Sequence, residues 1–189
     1  MKPYISSNVS VLLFTVTQTE LRPAVPDDLA GLAELARTTF EEAFSTEMEP
    51  SAMQAHLAEK MSNDAFSRMM REDHFTVAEA ADCLIGFVQV GQVNPDYAQY
   101  VDGFDHAAGE VRRLYVRAER QQKGLGSDLL TQGLAALSPH RSVYITTWES
   151  NLGAQKLYRK FGFSLAGKIP EYGSGGDLNG YEHVMFRPA

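Results

Sequence analysis

The segment that most constrains the fold lies between residues 110 and 163. It opens with a strand-like run at residues 110–116 (EVRRLYV), crosses a polar stretch, and reaches Gly124-Leu125-Gly126, where a helical pattern begins with Leu129, Leu130, Leu134 and Leu137 and stops at Ser138-Pro139. Strand, glycine turn and helix in that order leave backbone N–H groups uncovered at a helix N-terminus, whose partial positive charge favours a phosphate or pyrophosphate. Spacing narrows the ligand. A dinucleotide fingerprint requires Gly or Ala where this chain has Leu129, and a P-loop requires Gly-Lys-Ser/Thr where it has Gly126-Ser127-Asp128. The turn therefore predicts a phosphorylated cofactor held by neither motif; a plain strand-to-helix turn fits the same six residues taken alone.

A second pattern follows. After a β run at residues 142–147 (SVYITT) comes Asn151, then Ala154, Leu157, Tyr158 and Phe161 at steps of three, one and three, a helical stripe facing the sheet and closed by Gly162. Gln121, Gly124 and Gly126 resemble the acetyl-CoA signature Gln/Arg-x-x-Gly-x-Gly/Ala of the GCN5-related N-acetyltransferases, the GNAT superfamily. Asn151, Ala154, Leu157, Tyr158, Gly162 and Phe163 resemble that superfamily's Asn-x-x-Ala-x-x-Leu-Tyr-x-x-x-Gly-Phe helix. The resemblance is close over residues 110–163 and looser from residue 21 to the C-terminus. It implies an α/β (α+β) GNAT fold: a mixed, mostly antiparallel sheet of six to seven strands flanked by about four helices.

It also implies roles. Acetyl-CoA would be the co-substrate, its phosphates on Gln121, Gln122, Lys123, Gly124, Leu125, Gly126 and Ser127. Its pantetheine arm would lie along the backbone of Leu114, Tyr115 and Val116, where the strand splays from its neighbour, with the Val116 N–H facing the thioester oxygen. Asn151 and Ala154 would sit at the other side of the arm, and Tyr158 would protonate the departing thiolate. Asn151 is equally suited to a helix N-cap, and Tyr158 to a core aromatic. Glu110, placed by period two on the same strand face as Leu114, resembles the carboxylate that drains the amine proton through water; a surface acid is the plain alternative. The reaction needs a neutral amine, a stabilised oxyanion and a proton for sulfur, in a ternary complex.

The rest of the chain reads as one unit. Pro26-Asp27-Asp28 starts an amphipathic helix through Leu29, Leu32, Ala33, Ala36, Phe40 and Phe44, and Pro50 opens a second through Met53, Leu57 and Met61. Residues 75–79 and 84–93 predict a hairpin. Residues 94–109 (NPDYAQYVDGFDHAAG) have a length at which a structureless connection is usually functional or disordered. A last strand pair at residues 163–169 and 181–186 brackets a glycine-rich stretch at residues 172–180, lengthened by Gly173-Ser174-Gly175-Gly176. We expect a single domain over residues 19–189, with residues 1–18 as an N-terminal arm or extra strand.

Of the 189 residues, Lys+Arg number 17 and Asp+Glu 24, a net charge of −7. That makes nucleic acid a poor partner and a cationic small molecule a better one. Arg112, Arg113, Arg117, Arg120 and Lys123 lie near the glycine turn in sequence, so the acidic excess falls elsewhere and a split surface is expected, cationic toward phosphates and anionic toward an amine. The lone cysteine, Cys83, forms no internal disulfide and suits a reducing, cytoplasmic setting. The apolar run VLLFTV at residues 11–16 is far shorter than the about 20 residues of a membrane span. The histidines show no metal-ligand spacing, with each other or with Cys83, and no serine elbow is present.

Within the superfamily, residues 38–44 (TTFEEAF), 147–149 (TWE) and 181–185 (YEHVM) look most like the bacterial spermidine/spermine N-acetyltransferases. If so, Glu41, Glu42, Trp148, Glu149 and the acidic, aromatic loop around Tyr97 would receive a polyamine, cations gaining modestly from the aromatic faces. Solvated surface acids are the alternative. Two other readings stay open: acetylation of protein or peptide N-termini, amino acids or drugs, and a non-catalytic acyl-CoA-binding regulatory module. Monomer and homodimer are both compatible.

Overall fold

The computed structural model describes residues 18–137, 141–172 and 176–189. The arm or strand expected over residues 1–18 lies almost wholly outside the described residues, as does most of the Gly173–Gly176 insertion. In chain order the elements are β1 (Glu20–Pro23), α1 (Leu29–Phe44), α2 (Pro50–Lys60), α3 (Asn63–Glu72), β2 (His74–Ala80), β3 (Cys83–Gln92), β4 (Gly109–Val116), α4 (Leu125–Ala136), β5 (Val143–Trp148), α5 (Leu152–Lys160), β6 (Ser164–Tyr172) and β7 (Leu178–Arg187). The expected helices and strands within the described residues are present, with one helix (α3) and one strand (β1) more. α3 follows α2 after two residues because Ser62 caps it, its side chain accepting from the Ala65 N–H at 3.2 Å.

The seven strands form one sheet in the order β1-β2-β3-β4-β5-β7-β6. The β2–β3 hairpin turns through Ala81 and Asp82, both with positive φ, as a two-residue hairpin requires. One face of the sheet packs on α4 and α5 through Val88, Val90, Val111, Leu129, Leu130, Ile145, Tyr158 and Met185. The other packs on α1 to α3 through Leu32, Leu35, Met61, Phe66, Val77 and Phe87. No described helix is long and apolar enough to cross a membrane.

Residues 94–108 are not the structureless connection their length suggested. A 3-10 turn at Pro95–Gln99 is capped by Asn94, and Tyr97, Val101 and Ala108 are buried against Tyr144 and Val184. The aromatic and small apolar residues between the acids are anchors on the sheet, so the loop forms a lid of the second face rather than a free strap.

Two irregularities of β4 decide where the site forms. First, among the described residues β4 and β5 are the only parallel neighbours, and they pair at Gly109↔Val143, Glu110↔Tyr144 and Val111↔Ile145. Beyond that point β4 continues on β3 as far as Val116↔Gly86, and β5 continues on β7 as far as Trp148↔Glu182, so the facing edges part as a fork. Second, the β3–β4 register shifts: Gln89 faces Arg113 and Val90 faces Val111, leaving Arg112 as an extra residue in a β-bulge.

Candidate active site

The fork exposes backbone. Arg117 N donates to Ile85 O at 3.0 Å, so by the alternation of an antiparallel ladder Tyr115 and Arg113 also bond to β3. The N–H and C=O groups of Leu114 and Val116 between them turn the other way, toward the side that β5 has left. Val116 O accepts from Gln121 Nε2 at 3.0 Å, which folds the start of the glycine turn back onto the strand end.

The turn itself is shaped by conformation more than by space. Gly124 is the N-cap of α4 at φ 93°, in the left-handed region where a β-carbon is costly, and an added Cβ there would meet nothing within 4 Å. Gln122 precedes it at φ 59°. The N–H groups of Leu125 and Gly126 come before the first bond of the helix, Ser127 N to Gly124 O at 2.8 Å, and so have no intrahelical acceptor. Lys123 Nζ donates to Glu119 O at 2.9 Å beside them.

α5 brings the third wall. Asn151 caps it, its side chain accepting from the Ala154 N–H at 3.0 Å. Tyr158 is buried among the residues under α4, with Ala154, Leu157 and Phe161 packed against the same cluster. Burial, with the Tyr115 hydroxyl as a second cause, pushes its phenol well above the ordinary tyrosine value. At neutral pH it holds its proton.

The opposite face of the fork carries the charge. Glu110 is 3% exposed; its Oε1 accepts from Tyr97 OH at 2.8 Å and its Oε2 from Asn94 N at 2.9 Å, with Arg112 Nη1 3.9 Å away. Burial raises its pKa above the usual carboxylate range, and the Tyr97 bond and the Arg112 charge pull against that. Burial, then the Glu110 charge, pushes the Tyr97 phenol well above its ordinary value. Glu182 on β7 turns toward the same face: burial raises it, the Thr146 hydroxyl opposes the shift, and Glu171 and Glu110 add to it. Asp73 at the end of α3 accepts from Gln89 Nε2 at 2.6 Å and pairs with Arg112 Nε at 3.2 Å, while Gln89 Oε1 accepts from Arg113 Nη1 at 2.7 Å. Phe40 of α1 stacks on His56 of α2 at 4.4 Å, and burial with the Arg113 charge lowers the His56 pKa.

The profile of the Acetyltransferase (GNAT) family matches residues 29–163 of the chain. The chain belongs to this family. A spermine/spermidine N(1)-acetyltransferase of Bacillus subtilis is 33% identical over 109 residues, which make up 55% of this chain and 62% of that protein. The chain thus spans less than two thirds of that relative's length. Among solved structures, the PaiA N-acetyltransferase of Thermoplasma acidophilum in complex with coenzyme A superposes with a TM-score of 0.68 at 20% identity, covering 91% of this chain and 99% of that one. A histone acetyltransferase HPA2 and related acetyltransferase from Corynebacterium glutamicum does so with 0.68 at 18% identity, covering 90% and 96%.

Of the residues expected at the donor side, Leu114, Tyr115 and Val116 lie on the β4 arm of the fork, Gln121 to Ser127 form the turn into α4, and Asn151, Ala154 and Tyr158 lie on α5 and its cap, whose Leu157 stands 3.5 Å from where a Cβ at Gly126 would be. Two expectations are corrected. Glu110 does not share a strand face with Leu114. The bulge at Arg112 adds one residue between them, which reverses the period-two phase, so Val111 and Leu114 pack under α4 while Glu110 faces Tyr97. Arg112 and Arg113 do not serve the glycine turn, because the same bulge aims them at Asp73, Glu110 and Gln89.

The expected acceptor residues are less tightly gathered. Glu41 and Glu42 stand exposed on α1. Glu149 Oε1 accepts from Tyr181 N at 3.1 Å, and Trp148 and Glu149 crowd Gly180, where an added Cβ would meet them at 3.0 and 2.7 Å; both side chains help close β5 on β7. Glu182, Thr146 and the pairing partners Asp73 and Gln89 were not singled out. For Glu182 a signal was present: in Tyr181-Glu182-His183-Val184 it shares a strand face with Val184, which is fully buried.

Proposed function

We propose that the protein is an acetyl-CoA-dependent N-acetyltransferase that moves an acetyl group to a primary amine by direct attack in a ternary complex. The observation that carries this reading is the fork between β4 and β5, where the free N–H groups of Leu114 and Val116 lie between a glycine-capped helix N-terminus and the protonated Tyr158 hydroxyl. The helix start suits the pyrophosphate, the strand edge suits the amides of pantetheine, and the Val116 N–H suits the oxyanion of the tetrahedral intermediate. Tyr158 supplies the proton for the leaving thiolate. Glu110, the carboxylate that the resemblance assigns to the amine proton, has both oxygens hydrogen-bonded and acts on that proton through intervening groups rather than by contact.

A polyamine is the favoured acceptor, supported by the activity for which the Bacillus subtilis relative is named and by the buried Glu110 and half-buried Glu182 on the face opposite α4. Glu41, Glu42, Trp148 and Glu149 would guide it at the rim. We place the reaction in a reducing, cytoplasmic setting, to which the exposed free thiol of Cys83 is suited.

Release of free thiol from acetyl-CoA, measured against a panel of spermidine, spermine, amino acids, an aminoglycoside and a peptide N-terminus, tests the proposal. Release with spermidine or spermine and little with the others is expected. Coenzyme A binding without thiol release for any amine would overturn it in favour of a regulatory acyl-CoA module.

A further inference from the structure

The geometry points to Glu182 on β7 as the group that first receives the amine proton, with Thr146, Tyr97 and Glu110 behind it as positioning residues. The inference rests on the reading above that the protein acetylates an amine. Its basis is where the two carboxylates stand along the fork. Glu110 is in register with Tyr144, below the last β4–β5 pair at Ile145, where the strands are still joined. Glu182 is in register with Trp148, three residues beyond Ile145, where the fork is open.

Their surroundings differ in the same sense. Glu110 is 3% exposed and each of its oxygens already accepts a hydrogen bond, from Tyr97 and from Asn94, so neither solvent nor an amine reaches it directly. Glu182 is half-buried on β7, the neighbour of β5, the strand that parts from β4 at the fork. The groups around it are Thr146 from β5, Glu171 from β6, Glu110 and Tyr115 from β4, and Tyr97 from the 3-10 turn. Thr146 is in register with Val184 and so stands diagonal to Glu182 on the same face of the β5–β7 pair, while Tyr97 donates to Glu110. Among the described residues, the groups that shift Glu182 are a hydroxyl and two carboxylates, which suits a site that must take a proton from an ammonium.

The step balances as follows. The acceptor ammonium gives one proton to the Glu182 carboxylate and keeps the electron pair, which forms the C–N bond at the thioester carbonyl carbon. Collapse of the tetrahedral intermediate breaks the C–S bond, and the thiolate takes a proton from Tyr158. The second nitrogen proton restores Tyr158 through solvent, and Glu182 releases its own to water, so one proton leaves per turnover.

Steady-state kinetics of the full chain with acetyl-CoA and the best amine of the panel tests this. Glu182→Gln should lower kcat by about 100-fold or more, as loss of a general base does, leave the KM for acetyl-CoA unchanged, and remove the acidic limb of the kcat profile. Glu110→Gln should keep that limb and move it to lower pH, because a negative charge that raises Glu182 is gone. Thr146→Val should move it to higher pH, and this variant carries the test if Glu182→Gln fails to fold. Unchanged kcat and limb in Glu182→Gln, or loss of the limb in Glu110→Gln instead, overturns the inference while leaving the acetyltransferase reading intact. Absence of thiol release by the unaltered protein overturns that reading and this inference with it.

Discussion

The two sides of the fork are built from opposite materials. The proposed donor side consists of consecutive backbone: the Leu114 and Val116 amides, the turn through Gly124, and the first N–H groups of α4, joined by the Tyr158 hydroxyl from α5. The proposed acceptor face consists of side chains brought from six places, Asp73, Gln89, Tyr97, Glu110 with Arg112 and Arg113, Thr146 and Glu182. The donor side needs almost no charge, because an amide edge and a helix dipole suit a cofactor of fixed shape. The acceptor face holds several ionised or ionisable groups, and burial forces each to be paired, hydrogen-bonded or shifted in pKa. A backbone site tolerates changes of side chain, whereas a side-chain network tolerates few.

Tyr158→Phe makes the sharpest test of that division, because the proposed role of Tyr158 runs through its side-chain hydroxyl. Turnover should fall about 100- to 10,000-fold, the usual worth of a general acid, with coenzyme A affinity by calorimetry nearly unchanged. A parallel loss of affinity would mean that the hydroxyl binds the cofactor and the donor side is not a backbone site. A smaller effect is expected from Gly124→Val. The left-handed conformation at φ 93° would cost a branched residue about 1–2 kcal/mol, or roughly fivefold to thirtyfold in coenzyme A affinity, with the fold retained. Full affinity in that variant would remove the turn from the phosphate site.

The same division explains what could be read from residues alone. The glycine turn, the Asn151 cap and the Tyr158 stripe are each carried by a dozen or fewer consecutive positions, so their order on the chain predicts the fold. The acceptor face was legible only in fragments. Whether Glu110 faces α4 or Tyr97 depends on one extra residue opposite Gln89 and Val90, and a bulge is set by the partner strand rather than by the bulged segment. Periodicity within residues 110–116 could not reveal it. The order of the loop at residues 94–108 is hidden for a related reason: Tyr97 and Val101 are buried against Tyr144 and Val184, which are distant in sequence. Glu41 and Glu42 stand out as acids in a family-like helix, yet they are solvent-exposed, while the half-buried Glu182 lies inconspicuously in a closing strand.

The smallest effect expected distinguishes function from stability on the acceptor face. Burial and the charges of Glu171 and Glu110 raise Glu182 above the unfolded carboxylate value of about 4.3, so the folded protein binds this proton more tightly than the unfolded chain. At a pH below the unfolded value both states hold it and its contribution is fully present; as pH rises through the raised folded value the contribution is lost. Glu182→Gln keeps the shape and cannot ionise. Its melting temperature should match the unaltered protein near pH 4 and exceed it at pH 7–8, by about 2–4 °C for each kcal/mol of relief in a chain of this size. The variant would then be more stable and less active, as expected where a site holds an unfavourable charge for chemistry. A lower melting temperature at pH 8 would reveal a cation stabilising the Glu182 carboxylate, and the acceptor face would then be a paired network throughout, without a site left open to an ammonium.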